Sequence, residues 1–238
     1  LEPLTDGMVT SPEDQHRYHE ILLRETLRLS RLINDMLELS RIQAGTSNIQ
    51  PERVDLINVV MDVADNYQAS IEDHDLQLLT SGFDRSLPDV WGNADRIEQI
   101  LVILLDNAMK FTPAGGTIRL DVGRSFNLAY AAVSDTGIGI DAEDLESIFD
   151  RFYKEDKAHR EPGTGLGLSI AKEIADQLGF ELTVQSERHA GSTFTLLIPF
   201  ADDVMQSLSQ LKDVYDSESG HTAQDDSSRS GATEDDED

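Results

Sequence analysis

Glu181-Leu182-Thr183-Val184-Gln185-Ser186, followed through Ala190-Gly191 by Thr193-Phe194-Thr195-Leu196-Leu197-Ile198-Pro199, is the stretch that decides the fold class. Both runs read as strands, and the short glycine-containing link predicts a hairpin. Just upstream, Leu166–Leu178 reads as a helix with Gly179 as its cap. Further back, Gly115-Gly116 turns into a strand, Thr117–Val122, and Leu128–Ser134 follows as another. Asn93 and Asp95 start an apolar helix, Ile97–Lys110. Asp55 caps a helix running to about Ile71, and Leu76–Leu79 is a short strand. Strands and helices are mixed and the last two strands pair as neighbours. The expected class is α+β: a two-layer α/β sandwich, one sheet under one helical layer, rather than a doubly wound parallel sheet.

The first fifth of the chain has another period. Ser11-Pro12-Glu13-Asp14 is a helix start, with Ser11 as cap, Pro12 in the first turn and Asp14 at the reciprocal capping position. Tyr18, Leu22, Leu29, Leu32, Met36 and Leu39 then fall on a 4-3 spacing, Glu25 takes one slot, and Ile21 and Ile33 widen the stripe. This predicts a bundle or coiled-coil helix of about seven turns, ending near Gly45. One such helix cannot bury its stripe alone and needs a hairpin partner, a dimer mate, or both. Leu1–Leu4 fit the last turn of that partner and Thr5–Thr10 its loop, so the chain reads as a piece of something longer. The expected organisation is 1–47 as a partial helical hairpin lacking its first helix, 48–200 as the globular domain, and 201–238 as an acidic, largely disordered tail with Val204–Tyr215 as its exception.

The 238 residues suffice for one well-cored domain and smaller pieces. Aromatic residues are only 6% of the chain, so the core must be aliphatic. Without cysteine there is no disulfide framework, thiolate metal site or thiol chemistry. No apolar run approaches the roughly 20 residues that span a bilayer. The net charge is −27, and the segment from residue 201 onward holds twelve acids against Lys212 and Arg229. Such a surface repels phosphate backbones and anionic lipid headgroups, which argues against nucleic acid or direct membrane contact.

Four separated segments carry the chemistry. They are Leu104-Leu105-Asp106-Asn107-Ala108-Met109-Lys110-Phe111-Thr112, Asp135-Thr136-Gly137-Ile138-Gly139-Ile140, Ile148-Phe149-Asp150-Arg151-Phe152-Tyr153-Lys154, and Gly163-Thr164-Gly165-Leu166-Gly167-Leu168, with Gly191-Ser192-Thr193-Phe194 beyond. Asp135 ends a strand, and its acceptor-only carboxylate suits the amino donor of adenine and repels guanine's carbonyl oxygen. Gly137 and Gly139 let backbone approach a flat base. Gly137-x-Gly139-x-x-Ala142 also matches a dinucleotide fingerprint, but no strand ending in an acid follows about 20 residues on. Asn107 and Lys110, three apart on one helix, share a face. An amide oxygen suits Mg2+, and a mobile ammonium suits phosphate. Gly163–Gly167 opens a helix whose free N–H groups suit phosphate; no Gly-Lys-Ser/Thr makes it a P-loop. Taken singly, each has a plain reading as turn, helix end or hinge.

In order and spacing, the segments together resemble the nucleotide-binding boxes of histidine kinases, part of an ATPase superfamily shared with type II topoisomerases and large heat-shock chaperones. The resemblance spans residue 11 to about 199. It implies a Bergerat-type ATPase fold and a sensor histidine kinase of a two-component system. It further implies ATP and Mg2+ as cofactors, Asn107 as the metal ligand, a homodimer in the full-length protein, a response-regulator receiver domain as partner, and a membrane-anchored parent. Nucleotide contacts then fall to Asn107, Lys110, Phe111, Asp135, Gly137, Gly139, Tyr153, Lys154, Gly163, Thr164, Gly165, Leu166, Gly167, Leu168 and Thr193. Glu155–Pro162 takes the place of the family's ATP lid. One departure is Ile103, where the family often has a second asparagine, so one polar contact is missing.

The family's phosphoacceptor motif, His-Glu/Asp followed by Leu-Arg-Thr-Pro, is not found. His19-Glu20 continues Ile21-Leu22-Leu23, and His74-Asp75 continues Leu76-Gln77-Leu78. His16, His159, His189 and His221 lack the following acid. The accepting histidine is expected on the helix before Ser11, and this chain alone is expected to be inactive in cis. Two rivals remain: a slow ATPase of the same superfamily, and a scaffold that is non-catalytic and at most regulated by nucleotide.

Overall fold

The computed structural model describes residues 11–44, 50–84, 86–153 and 164–210. Expectations that fall on Leu1–Leu4, Gly45, Lys154, Gly163, the 155–162 connection and residues 211–238 lie outside the described residues. In chain order the elements are α1 (Pro12–Gln43), β1 (Glu52–Val54), α2 (Leu56–Asp73), β2 (Gln77–Ser81), β3 (Val90–Gly92), α3 (Ala94–Phe111), β4 (Thr117–Ser125), β5 (Leu128–Asp135), α4 (Gly167–Leu178), β6 (Glu181–Glu187) and β7 (Gly191–Pro199). Residues 201–210 add a last helical segment.

Helix starts follow the side chains that cap them. Asp55 accepts from Asn58 N at 3.1 Å and Asn93 accepts from Arg96 N at 3.1 Å. Ser11 accepts from Asp14 N at 3.0 Å, and its own hydroxyl donates to the Asp14 carboxylate at 2.9 Å. At the far end of α4, Gly179 adopts φ 70°, which lets the chain turn straight into β6.

Five strands form one sheet in the order β2-β4-β5-β7-β6. Only β2 and β4 are parallel; β6 and β7 form the expected antiparallel hairpin. Along β7 burial alternates, with Ser192, Phe194, Leu196 and Ile198 buried and Thr193, Thr195 and Leu197 less so. The buried set shares one core with Val60 of α2, Leu104 of α3 and Ile174 of α4. The helices therefore cover one face only, and the fold is the two-layer sandwich.

Three features differ from the sequence expectation. Strands β1 and β3 pair as a separate two-stranded sheet, and Val90 bridges to Phe200. Three-residue strands carry no readable period, so only tertiary pairing defines them. The helix after β7 starts at residue 201, before Val204: Ala201 is buried, its N–H donates to Asp89 O at 2.9 Å, and Arg53 Nη2 meets Asp202 Oδ1 at 2.6 Å. Helix α1, with 32 residues, has about nine turns rather than seven.

Most of α1 has no covering element among the described residues; Leu29 is 58% exposed and Met36 53%. Only its last turns dock, with Leu39 and Ile42 buried. Glu38 Oε1 accepts from Arg96 Nη1 at 2.9 Å and Gln99 Nε2 at 2.7 Å, and the Gln177 amide donates to Ile42 O.

Leu104 has no exposed surface. Leu104→Ala should lower the unfolding free energy by about 2–5 kcal/mol, against about 1 kcal/mol for loss of the cap in Asp55→Ala. Urea denaturation of the two variants checks the order; a larger loss for the cap would move the core away from α3.

Candidate nucleotide site

Three elements converge at one end of the sheet. The first is the last two turns of α3. Asn107 and Lys110 are half-buried there, and Lys110 Nζ lies 4.4 Å from the centroid of the Phe111 ring. Asp106, in the same segment, turns elsewhere: it accepts from the Tyr67 hydroxyl at 2.9 Å and ties α3 to α2. Thr112 ends the helix, and its Oγ1 is buried with no hydrogen-bond partner among the described residues.

The second element is the end of β5 and the loop beyond it. Asp135 Oδ1 accepts from Gly137 N at 2.8 Å, and the Ser192 backbone N–H also donates to this carboxylate. Burial pushes the Asp135 pKa up, and these two donors pull it down by less. The loop is clamped to α3 by Ile138 N donating to Phe111 O at 3.2 Å. A Cβ on Gly137 would sit 2.5 Å from Phe111 O and 2.6 Å from Asp135 Oδ1. Glycine is required there by space. At Gly139 it is also required by backbone conformation, φ +66°.

The third element is the start of α4. Its first intrahelical bond is Ile170 N to Leu166 O at 2.9 Å, and no side chain caps it. Thr164 Oγ1 accepts from Leu166 N at 3.2 Å and donates to Asp35 Oδ2 of α1 at 2.8 Å. Gly165 O accepts from Phe152 N at 2.9 Å, which brings together the two ends of the 154–163 connection. Gly167 faces Ile103: a Cβ there would lie 3.3 Å from Ile103 Cγ2. The apolar residue found in place of a second asparagine thus packs α3 against the start of α4.

The sequence-selected residues separate into groups. Asp135, Gly137 and the Phe111 backbone meet directly, with Asn107 one helical turn behind the Phe111 carbonyl, and Gly139 lies against Glu187 O. Leu166 is fully buried and Leu168 packs against the core, so both hold α4 in place. The Tyr153 hydroxyl donates to Asp144 Oδ1 at 2.5 Å. Thr193 projects from the sheet face away from the helices and donates to Ser134 Oγ at 2.9 Å. Its neighbour Ser192 is on the helix-facing side, opposite Asp135 in the ladder. The sequence expectation names Thr193, whereas the residue opposite Asp135 in the ladder is Ser192. The signal was available: Ser192 falls in the two-residue alternation of Phe194, Leu196 and Ile198, and Thr193 does not.

Residues 92–202 match the model of the histidine kinase-, DNA gyrase B- and HSP90-like ATPases, and residues 1–45 match the His kinase A phospho-acceptor domain. The chain is 34% identical over 211 residues to the sensor histidine kinase WalK of Bacillus subtilis, covering 85% of this chain and 34% of WalK. It is 37% identical over 206 residues to drug sensory protein A of Synechocystis sp., covering 82% of this chain and 31% of that protein. A solved structure of full-length ShkA in complex with AMPPNP superposes with TM-score 0.67 at 28% identity, over 79% of this chain and 39% of ShkA. The chain spans about a third of the length of these curated relatives. With a mixed two-layer sandwich and both family models in the expected order, the chain belongs to the sensor histidine kinases and carries their GHKL-type ATP-binding region.

Proposed function

We propose that this chain binds Mg-ATP at the meeting of α3, the 135–140 loop and α4. It would supply the catalytic half of a histidine kinase, moving the γ-phosphoryl group to a histidine and from there to an aspartate of a response-regulator receiver domain. The observation that carries this is Asp135. Two backbone N–H donors hold its carboxylate half-buried beside two glycines, and its remaining lone pairs can accept an exocyclic amine.

The phosphate end has matching chemistry. The uncapped start of α4 presents backbone N–H groups at the positive end of its dipole. Lys110 has the reach to leave its ring contact for a phosphate oxygen. Among the described residues, no group of three His, Asp or Glu could hold a metal. A single amide oxygen at Asn107 instead fits Mg2+, an ion that keeps water and phosphate oxygens as ligands and neutralises phosphate charge when bound. The chain's part in phosphoryl transfer is then positioning and charge stabilisation. Neither His19, exposed on α1, nor His74, at the end of α2 with its ring against Ser70 O, is followed by the family's acceptor motif, so neither is the nucleophile of this proposal.

Two wider features belong to the same proposal. The exposed apolar stripe of α1, with Ile21, Leu29, Ile33 and Met36, suits a four-helix dimer core. Sedimentation of the full-length protein as a monomer at every concentration would remove this. A need for ATP suits the cytoplasmic side, and the parent protein of this proposal is membrane-anchored. Among the described residues no helix is long and apolar enough to cross a membrane. Recovery of the full-length protein only in the soluble fraction would contradict anchoring.

Calorimetric titration should show ATP binding that Mg2+ strengthens and a preference over GTP. Asp135→Asn should weaken ATP at least about tenfold and erase the preference; unchanged affinity would relocate the adenine pocket.

The raised Asp135 pKa has its own signature. The ligand-free folded state holds this proton more tightly than the unfolded chain. Its contribution to stability is therefore full below the ordinary carboxylate range and is lost as pH rises through the raised value. Without ligand, Asp135→Asn should unfold at neutral pH no earlier than wild type, in a thermal scan.

A further inference from the structure

The Ser186 hydroxyl is part-buried on the helix-facing side of β6 and has every hydrogen-bonding position taken. It accepts from Ile140 N at 2.8 Å and donates to Gly191 O at 2.8 Å. A hydroxyl has one proton and two lone pairs. With that proton on Gly191 O, the 3.0 Å contact between Ser186 Oγ and Ser192 Oγ has Ser192 as donor. One side chain therefore joins the far end of the 135–140 loop to the first two residues of β7. Both ends of this joint lead back to Asp135, through the loop that begins there and through the Ser192 backbone N–H that holds its carboxylate.

The β6–β7 turn supports the same loop at two further points. His189 N donates to Ile138 O at 2.7 Å, and Arg188 pairs with Asp141. The loop lies flat against this turn, so that a Cβ on Gly139 would sit 2.0 Å from Glu187 O. The base-binding loop thus has a frame on each side: α3 holds it through Phe111 O, and the β6–β7 hairpin holds it through Ser186, Arg188 and His189.

From this geometry we infer that Ser186 is a positioning residue for nucleotide binding, setting the distance between the 137–140 backbone and the Asp135 carboxylate without touching ligand. The inference rests on the proposed ATP site. With the remaining two supports in place, Ser186→Ala keeps the loop attached but lets Ile140 drift. Ser186→Thr keeps the hydroxyl and suits a strand.

The test is a calorimetric titration of wild type, Ser186→Ala, Ser186→Thr and a control, Thr183→Ala, with ATP, ADP and adenosine. Thr183 is on the same strand but the opposite face, where its hydroxyl donates to Thr195 O at 3.4 Å. Ser186→Ala should weaken all three ligands by a similar factor, roughly 5- to 50-fold, because the phosphate end is untouched. Ser186→Thr should restore binding, and Thr183→Ala should leave it alone. Amide hydrogen exchange should show Ile140 losing protection in Ser186→Ala. Wild-type affinity in Ser186→Ala with Ile140 still protected overturns the role. A lowered unfolding temperature with unchanged affinity reduces Ser186 to a strand-packing residue and overturns it too. Failure of wild type to bind any of the three ligands is a different result and removes the ATP site itself.

Discussion

The antiparallel pairing of β5 with β7 is the constraint on which the rest depends. It sets Asp135 opposite Ser192 at the end of the ladder, on the side that faces the helices. A carboxylate that ends a central strand would be costly to bury without donors. Here the Gly137 and Ser192 N–H groups provide them and still leave lone pairs for a ligand. Moving the register by one residue would send Asp135 to the outer face with Thr193, and the site would disappear.

Once Asp135 is placed, the remaining parts follow from local chemistry. The loop beyond it can turn back only with glycine, because Phe111 O and Glu187 O approach positions 137 and 139 too closely for any side chain. That close approach is also what brings the site together. Phe111 O at the end of α3 receives the Ile138 N–H, so the helix bearing Asn107 and Lys110 and the loop bearing the carboxylate share one hydrogen bond. Ile103 then packs α3 onto the start of α4, so that helix end is oriented by apolar contact.

Helix α1 is coupled to this arrangement at one end only. Its N-terminal turns keep an unburied stripe, and its last turns lie against α3 and α4. The Asp35–Thr164 hydrogen bond reaches the segment that leads into α4. The two units recognised by separate family models are therefore in contact, through the buried Leu39 and Ile42 and through a rim of polar groups that includes Asp35 and Glu38.

Much of the fold was legible because it rests on short-range rules. Capping residues Ser11, Asp55 and Asn93, the glycine after Leu178, and the link through Ala190-Gly191 each act on their own few neighbours. The stripe of α1 is a helical period that needs no tertiary context. The motif segments stood out because their residue types and order resemble a family pattern, which is a property of the sequence alone. What stayed hidden depends on contacts between distant parts of the chain. Strands β1 and β3 exist only as each other's partner, and the 201–210 helix starts early only because Ala201 is buried against Asp89. The choice between Ser192 and Thr193, the turning away of Asp106 toward Tyr67, and the joining of Ile140 to Gly191 by Ser186 were decided by strand register and helix rotation. The sequence by itself determined the elements, their order and the chemistry the site can offer, because these follow from local backbone preference and side-chain type. Only the tertiary structure decided which of those side chains converge at the end of the sheet beside Asp135, because a strand or helix shows each face to a different neighbour and packing alone selects the neighbour.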